Sequence, residues 1–196
     1  MDWTIGLLCG IGLAAACGFR VFVPLLGTSL AGMSGHLQLA EGFEWMSTPA
    51  AAVAFGTATL LEIAAYYIPW LDNLLDVIST PSAAIAGTIL TASMVSDVSP
   101  FLKWTLAVIA GGGVAGAVQS GTAVIRGAST ISTAGAVNPL LSTIELILSA
   151  IMTVLAVLLP ILAFVLLVLM IVAGIWIWRR GRQAAALSAA RADAIE

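Results

Sequence analysis

The chain has 196 residues, of which 61% are hydrophobic and only 9% are charged, and its net charge is −3. Soluble domains carry about a quarter charged residues, so this composition excludes an ordinary soluble domain and predicts a surface that faces lipid. Basic patches with interleaved aromatic residues do not occur in the sequence, which argues against nucleic-acid binding. Since each span needs about 20 residues, we expect about five or six transmembrane or re-entrant helices in one membrane domain, residues 1–182.

The first half of the chain predicts apolar helices separated by breaks. A first span covers residues 3–17. Gly18 and Pro24 interrupt the segment that follows, so residues 19–33 are predicted to be a broken or re-entrant continuation. Further on, the sequence predicts a span over residues 49–68, a short amphipathic helix over 71–78 and a short span over 81–95.

The second half begins with a predicted span over residues 100–118, followed by a polar stretch over 119–135 that is rich in Gly, Ser and Thr. This stretch is either a re-entrant loop that lines a cavity or an extramembrane connection. Residues 139–178 are almost continuously apolar, and as one helix they would measure about 60 Å, about twice the hydrocarbon thickness. We therefore expect a kink or a hairpin at Pro160, and a short surface helix in the tail, residues 183–196.

Four pairs of a small polar residue and a proline predict helix starts. Proline favours the first helical turn, and Ser, Thr and Asn favour the cap before it. The pairs are Thr48-Pro49, Thr80-Pro81, Ser99-Pro100 and Asn138-Pro139.

Two glycine-rich stretches, residues 10–16 and 111–117, resemble one another. They predict an internal duplication, with two degenerate repeats of inverted topology over about residues 3–95 and 100–178. Membrane proteins built from two related halves often place a transport site where the halves meet. The same stretches contain small residues at four-residue spacing, which predicts close helix packing within the chain or in a homodimer.

Each half carries one arginine and one glutamate in apolar sequence, Arg20 and Glu62 in the first half and Arg126 and Glu145 in the second. Ionisable groups in hydrocarbon are costly unless they are paired or hydrated, so we expect an arginine and a glutamate to pair within or across the halves. Two interpretations stay open. The glutamates could take up a proton or cation while the arginines hold an anionic group, or the charges could be structural staples at helix ends.

Three further polar residues are candidate ligands. Asp72 and Asp76 are four residues apart and share one helical face. There they either bind a cation or form the solvent-exposed face of an interfacial helix. Gln119 opens the polar stretch. Ser/His/Asp, Cys/His and metal-ligand constellations do not occur in the sequence, so we expect no enzyme and no metal or other cofactor.

Charge asymmetry predicts the orientation. Arginines at 179, 180, 182 and 191 crowd the C-terminal end, whereas the loop around His36 has neither Lys nor Arg. By the positive-inside rule, the C-terminal tail is cytoplasmic and that loop faces outward.

Several polar and turn residues are scattered through the apolar sequence in an order that is typical of a known protein family. They are the stretch from Gly18 to Leu26 (GFRVFVPLL), Leu61-Glu62, Ile68-Pro69, Asp72, Asp76, Asn138-Pro139, Ser142 and Glu145. In these positions, over roughly residues 5–165, the chain resembles a family of small bacterial membrane proteins catalogued as domain of unknown function 4126. The family tends to carry Asp-Lys where this chain has Tyr66-Tyr67, and Glu-Asp where it has Glu145-Leu146. The resemblance implies a membrane fold and no particular activity.

From these features we expect a transporter or channel for an ion or small polar solute in the bacterial cytoplasmic (inner) membrane. The intramembrane carboxylates of Glu62 and Glu145 would lie at the repeat interface and carry the coordinating charge. The alternative is a non-transporting membrane component, such as a lipid-binding, assembly or accessory subunit, whose buried charges are structural.

Overall fold

The computed structural model describes residues 2–193, except for the side chains of residues 69, 70, 72–74, 76, 178, 182 and 184–193. All regular structure in this part of the chain is helical, which confirms the all-α class. The helices are α1 Trp3–Cys17, α2 Phe22–Met33, α3 Pro49–Ala65, α4 Pro69–Met94, α5 Pro100–Leu106, α6 Gly113–Thr133, α7 Asn138–Leu158 and α8 Pro160–Asp193. A 3₁₀ turn, Glu44–Ser47, precedes α3, and a π-helical segment, Ala107–Gly112, joins α5 to α6.

Four helical segments have the length and hydropathy that a membrane crossing requires. They are Val77–Met94 in α4, the continuous α5–α6 helix Pro100–Thr133, Asn138–Leu158 in α7 and Pro160–Gly181 in α8. Helices α1, α2 and α3 are shorter and also apolar. The protein is therefore a helical protein whose helices and composition are those of a membrane protein.

The chain divides into two compact units. The first extends from α1 through Phe164 in α8, and it contains all the contacts described below except one. The second is the remainder of α8, from Val165. Within that second unit the guanidinium of Arg180 stacks on the ring of Trp176, with Cζ 3.9 Å from the ring centroid.

Helix α1 runs antiparallel to α7. Gly12 lies against Ala156 near the C-terminal end of α7. One turn later in α1, the carbonyl oxygen of Ala16 accepts a hydrogen bond of 3.0 Å from Ser149 Oγ. Increasing residue numbers in α1 therefore correspond to decreasing numbers in α7.

Helix α2 returns along the same helix. The guanidinium of Arg20, in the turn after α1, donates to Ser142 near the start of α7. Gly27 of α2 then lies against Thr153, so the chain has reversed its direction. Helices α1 and α2 are the arms of one hairpin, called here the α1–α2 hairpin, and its buried turn is residues 18–21. The predicted break after Cys17 is confirmed.

The helix axis changes direction between α7 and α8. Gly12 lies against Ala163 as well as Ala156. Those two alanines would be about 10 Å apart along a continuous helix, which is too far for one glycine to contact both. The chain therefore bends sharply at Leu159, which confirms an interruption of the predicted 139–178 helix at Pro160.

One predicted interruption, at Pro81, is wrong. Pro81 lies inside α4, so the separate helix predicted over 71–78 and the span predicted over 81–95 are parts of one helix. A proline in a helix interior removes a backbone hydrogen bond and is costly, but α4 packs along α1, α6 and the π-helical segment. Buried contact along α4 offsets that cost, and local propensity gave the wrong boundary.

The polar stretch predicted as a loop over residues 119–135 is also wrong, because α6 continues as helix to Thr133. Five of the six hydroxyl groups along α6, all but that of Ser129, donate to carbonyl oxygens about one turn earlier, as Ser120 does to Gly116 at 2.7 Å. Such bonds satisfy the polar side chains within the helix itself. Ala134 and Gly135, with φ of 52° and 81°, then end the helix in the left-handed region.

Two of the four predicted caps are confirmed. Thr48 Oγ1 accepts a hydrogen bond from Ala51 N at 3.2 Å, and Ser99 Oγ accepts one from Leu102 N at 3.4 Å. The predicted cap before Pro81 is wrong, since that proline is inside α4. Asn138 is the first residue of α7 rather than its cap.

Small residues hold α1, α4 and the π-helical segment close together. Gly10 lies against Thr91, and Gly111 lies against both Gly87 and Thr91. The predicted packing of small residues within the chain is confirmed for these positions. A homodimer through such faces stays a prediction.

Candidate functional site

Four ionisable side chains meet where the turn of the α1–α2 hairpin contacts α3, α6 and α7. Arg20 comes from the turn, Glu62 from α3, Arg126 from α6 and Glu145 from α7. Their exposed fractions are 2%, 8%, 1% and 7%. These residues form the buried charge cluster, and the expected pairing of arginine with glutamate is confirmed.

Arg126 and Glu145 form a close ion pair. Arg126 Nε donates to Glu145 Oε1 at 3.0 Å, and Arg126 Nη2 donates to Oε2 at 2.6 Å. Arg126 Nη2 also donates to Ser142 Oγ at 2.7 Å. The two-pronged geometry is the strongest form of an arginine–carboxylate contact. Because Ser142 and Glu145 are three residues apart in α7, they lie on one helical face.

Arg20 is held by the same face of α7, but less completely. Its Nη2 donates to the carbonyl oxygen and to Oγ of Ser142, both at 2.8 Å, and lies 3.6 Å from Glu145 Oε2. Its Nε and Nη1 are buried and have no hydrogen-bond partner in the described part of the chain. A buried donor without an acceptor costs about 1–3 kcal/mol, and more when the group is charged.

Glu62 caps the second arm of the hairpin. Its Oε1 accepts a hydrogen bond of 2.8 Å from Val21 N, and its Oε2 accepts one of 3.1 Å from Phe22 N. These amides are at the N-terminus of α2, where unpaired N–H groups carry partial positive charge. Its carboxylate is therefore held by a helix end.

Tyr66 lies against both arginines. Its ring centroid is 3.6 Å from Cζ of Arg20 and 4.5 Å from Cζ of Arg126. Its hydroxyl is 2.8 Å from Ser79 Oγ of α4, within hydrogen-bond distance. The aromatic face attracts the cations electrostatically.

Tyr66 and Ser142 were not among the site residues predicted from the sequence. The signal for Tyr66 was its position one helical turn after Glu62, and for Ser142 its position one turn before Glu145. Both signals require knowing first that the glutamates face inward.

The remaining predicted site residues have different outcomes. Gln119 is 3% exposed and lies two turns before Arg126 on the inner face of α6, with Thr122 between them. Asp72 and Asp76 belong to α4, but their side chains lie outside the described residues. Among the side chains that are described, groups of three His, Cys, Asp or Glu that could hold a metal ion do not occur.

A polar stripe continues from the cluster along α7. Its buried members are Ser142, Glu145, Ser149 and Thr153, which extend about 16 Å along the helix axis. The neighbouring arm α2 contributes two fully buried hydroxyl groups, Thr28 Oγ1 and Ser29 Oγ, that lack a hydrogen-bond partner among the described residues. Polar groups therefore follow the hairpin away from its turn.

A cavity of about 780 Å³ lies at the other end of α1, where α4 ends and α5 begins. Ala40 N donates to Ser93 O at 2.8 Å and fixes the loop after α2 at this end of α4. The cavity is lined by charged residues of both signs, Glu41, Asp97 and Lys103.

Comparison with known families assigns the chain. The family model described as "Domain of unknown function (DUF4126)" matches residues 7–180. Significant matches occur neither among curated proteins nor among solved structures. The chain belongs to the DUF4126 family, as its scattered polar and turn residues predicted.

Proposed function

We propose that the protein is a small membrane transporter or channel for an ion or small polar solute, which passes the turn of the α1–α2 hairpin. The observation that carries this proposal is Arg20, a buried guanidinium whose Nε and Nη1 have no hydrogen-bond partner in the described part of the chain. A purely structural arginine is expected to satisfy its donors, since unmet buried donors are costly. A passing solute supplies the missing acceptors.

The hairpin has the dimensions of a re-entrant element. Helix α1 has 15 residues and measures about 22 Å, less than the hydrocarbon thickness of about 30 Å. Two such arms that enter from one side would end inside the layer. Irregular backbone at that depth is tolerated where it is buried in protein or lines a water-filled cavity, and interrupted helices form the solute sites of many transporters.

The polar stripe and the cavity suggest a route. Ser149 and Thr153 of α7 continue from the cluster along the hairpin. The cavity of about 780 Å³ lies at the opposite end of α1. In the proposed route, a solute enters this cavity, follows the hydroxyl groups and reaches Arg20.

Internal duplication is part of the proposal. Pro49 and Pro69 are the first residues of α3 and α4. After a nearly equal interval, Pro139 is the second residue of α7 and Pro160 the first of α8. Contact of Arg20 with α7 then joins the two halves at the charge cluster. This matches the placement of transport sites at repeat interfaces.

We further propose a bacterial cytoplasmic membrane location with the C-terminal tail inside. If α3, α4, the α5–α6 helix, α7 and α8 each cross once, the loop after α2 and the tail lie on opposite sides. The arginines of the tail then face the cytoplasm, in agreement with the positive-inside rule.

A second candidate function is a non-transporting membrane component. The close pair of Arg126 and Glu145 favours it, since every oxygen of that carboxylate is already engaged. Such a pair can act as a staple between α6 and α7. This candidate leaves the open donors of Arg20 without an explanation.

The test is solute movement in liposomes that contain the purified protein. Wild type should move at least one member of a panel of sodium and potassium salts, urea and glycerol faster than protein-free liposomes. Arg20→Gln, which removes the charge and most donors, should reduce that rate by about tenfold or more. Arg180→Gln is the matched control, because Arg180 is exposed.

Each variant is first checked for folding by its elution profile and thermal midpoint in detergent. If Arg20→Gln does not fold, Arg20→Lys replaces it in the test. Lys keeps the positive charge but lacks the planar guanidinium, so this variant tests the donor geometry alone. The proposal is rejected in favour of the structural role if wild type moves no solute on the panel. It is also rejected if a folded Arg20 variant moves solute at the wild-type rate.

A further inference from the structure

The acceptors of the buried charge cluster are already engaged. Both oxygens of Glu145 accept hydrogen bonds from Arg126. Both oxygens of Glu62 accept hydrogen bonds from the amides of Val21 and Phe22. The charge of Glu145 is therefore balanced by a guanidinium and that of Glu62 by a helix N-terminus, which weakens the attraction of either carboxylate for a cation.

The open groups are donors. Nε of an arginine carries one N–H and Nη1 carries two, and in Arg20 these two nitrogens have no hydrogen-bond partner among the described residues. The flat face of the same guanidinium is covered by the ring of Tyr66. The unpartnered N–H groups point along the edges of the guanidinium, so a ligand complements them there with acceptor atoms.

The backbone beside Arg20 already holds an anion. The next two amides in the chain, Val21 N and Phe22 N, begin α2 and bind the carboxylate of Glu62. The N-terminus of a helix favours negative charge. Glu62 thus behaves as a tethered anion at the hairpin turn, and its negative charge opposes a second anion that approaches Arg20.

We infer that the solute is a small monovalent anion, a halide or an oxyanion of the size of nitrate or formate, which binds at Nε or at Nη1 of Arg20. This inference rests on the proposed function and narrows its solute class. The anion is small because both nitrogens are enclosed, and monovalent because one guanidinium supplies the uncompensated donors. Glu62 is a positioning residue that holds the turn and weakens anion binding by repulsion.

Binding to the full-length protein in detergent tests the inference. Sodium chloride, sodium nitrate and sodium formate are titrated against sodium gluconate at equal ionic strength, and the binding isotherm is measured by calorimetry. At least one of the three anions should bind wild type in preference to gluconate. Arg20→Gln should weaken that binding by about tenfold or more.

Glu62→Gln distinguishes the anion site from a purely structural role of Glu62, because only the anion site predicts tighter anion binding in this variant. The amide oxygen can still accept a backbone hydrogen bond, whereas the negative charge is gone, so anion binding should tighten by about tenfold. Glu44→Gln, in the 3₁₀ turn before α3, is the matched control and should leave the affinity unchanged, because Glu44 is exposed. In a cation site, Glu62→Gln would instead abolish binding.

The outcomes separate the two proposals. Anion binding that depends on Arg20, without solute movement in liposomes, supports the anion site and rejects transport. Movement of sodium or potassium that Glu62→Gln abolishes overturns the anion inference and leaves transport standing. Wild type that neither binds the three anions nor moves any solute overturns both.

Discussion

Arg20 and Arg126 carry the same charge in very different surroundings. Arg126 makes a close two-pronged pair with Glu145, whereas Arg20 reaches the same carboxylate only at 3.6 Å. The first arrangement fixes α6 to α7, and the second leaves donors open at the hairpin turn. We therefore propose that Arg126 and Glu145 stabilise the fold and that Arg20 contacts the solute.

Glu145→Gln should strongly destabilise the protein. Removing one partner of a buried ion pair leaves an uncompensated charge and costs about 3–5 kcal/mol, and here two arginines lose their shared counter-charge. The free energy of unfolding in detergent measures this loss. Glu44→Gln is the control, and a loss as small as the control's would show that the pair is not a staple.

Tyr66 should stabilise the arginines mainly through its ring. Tyr66→Phe removes the hydroxyl contact with Ser79 but keeps the aromatic face, whereas Tyr66→Leu removes both. The free energy of unfolding should therefore fall by about 1–2 kcal/mol more in the Leu variant than in the Phe variant. Equal losses would assign the effect to the hydroxyl group instead.

The identity of the site residues was only partly predictable at this scale. Arg20, Glu62, Arg126 and Glu145 could be selected because charge in apolar sequence needs partners. Their pairing could not, since it depends on which helix faces meet. From the sequence, the same role was predicted for Glu62 and Glu145. In the structure, Glu62 caps α2 and Glu145 binds Arg126.

At the scale of the helices, boundaries with a local cause were predictable. Residues 3–17 form α1 as expected, and the break after Cys17 begins at Gly18, whereas Pro24 lies in the first turn of α2. Boundaries that depend on packing were not predictable. Pro81 suggested a helix start, and residues 119–135 suggested a loop, yet contacts along α4 and hydrogen bonds within α6 keep both segments helical.

The close approach of the π-helical segment to α4 requires glycine at residue 111 but not at residue 113. A side chain at Gly111 would meet Thr91 and the backbone of Gly87, whereas the space around Gly113 is open. Gly111→Leu should lower the free energy of unfolding by about 1–3 kcal/mol through overpacking. Gly113→Leu is the matched control, and equal thermal midpoints for the two variants would contradict this packing.

At the scale of the whole molecule, composition alone predicted an all-α membrane protein, and the helices agree with it. The proposed internal duplication rests on proline spacing and glycine runs in the sequence, and the helix lengths of the two proposed halves differ. In the first half, a hairpin of two short arms stands where the second half has the long α5–α6 helix.

The orientation can be tested in intact cells. In a variant in which the two free buried thiols, Cys9 and Cys17, are replaced by alanine, Ser34→Cys should react with a membrane-impermeant maleimide added outside. An epitope tag after Glu196 should become accessible only after permeabilisation. Reaction of the tag in intact cells would reverse the proposed orientation.

The most direct test of the central claim, that the hairpin turn is the solute site, is an experimental map of the protein in sodium bromide. Bromide is a small monovalent anion that anomalous scattering can locate. We predict a peak within hydrogen-bond distance of Arg20 Nε or Nη1 that disappears in Arg20→Gln. The claim would be contradicted by a wild-type map that shows ordered side chains but no bromide at Arg20. The bromide concentration in that experiment must be high enough to compete with the other anions present.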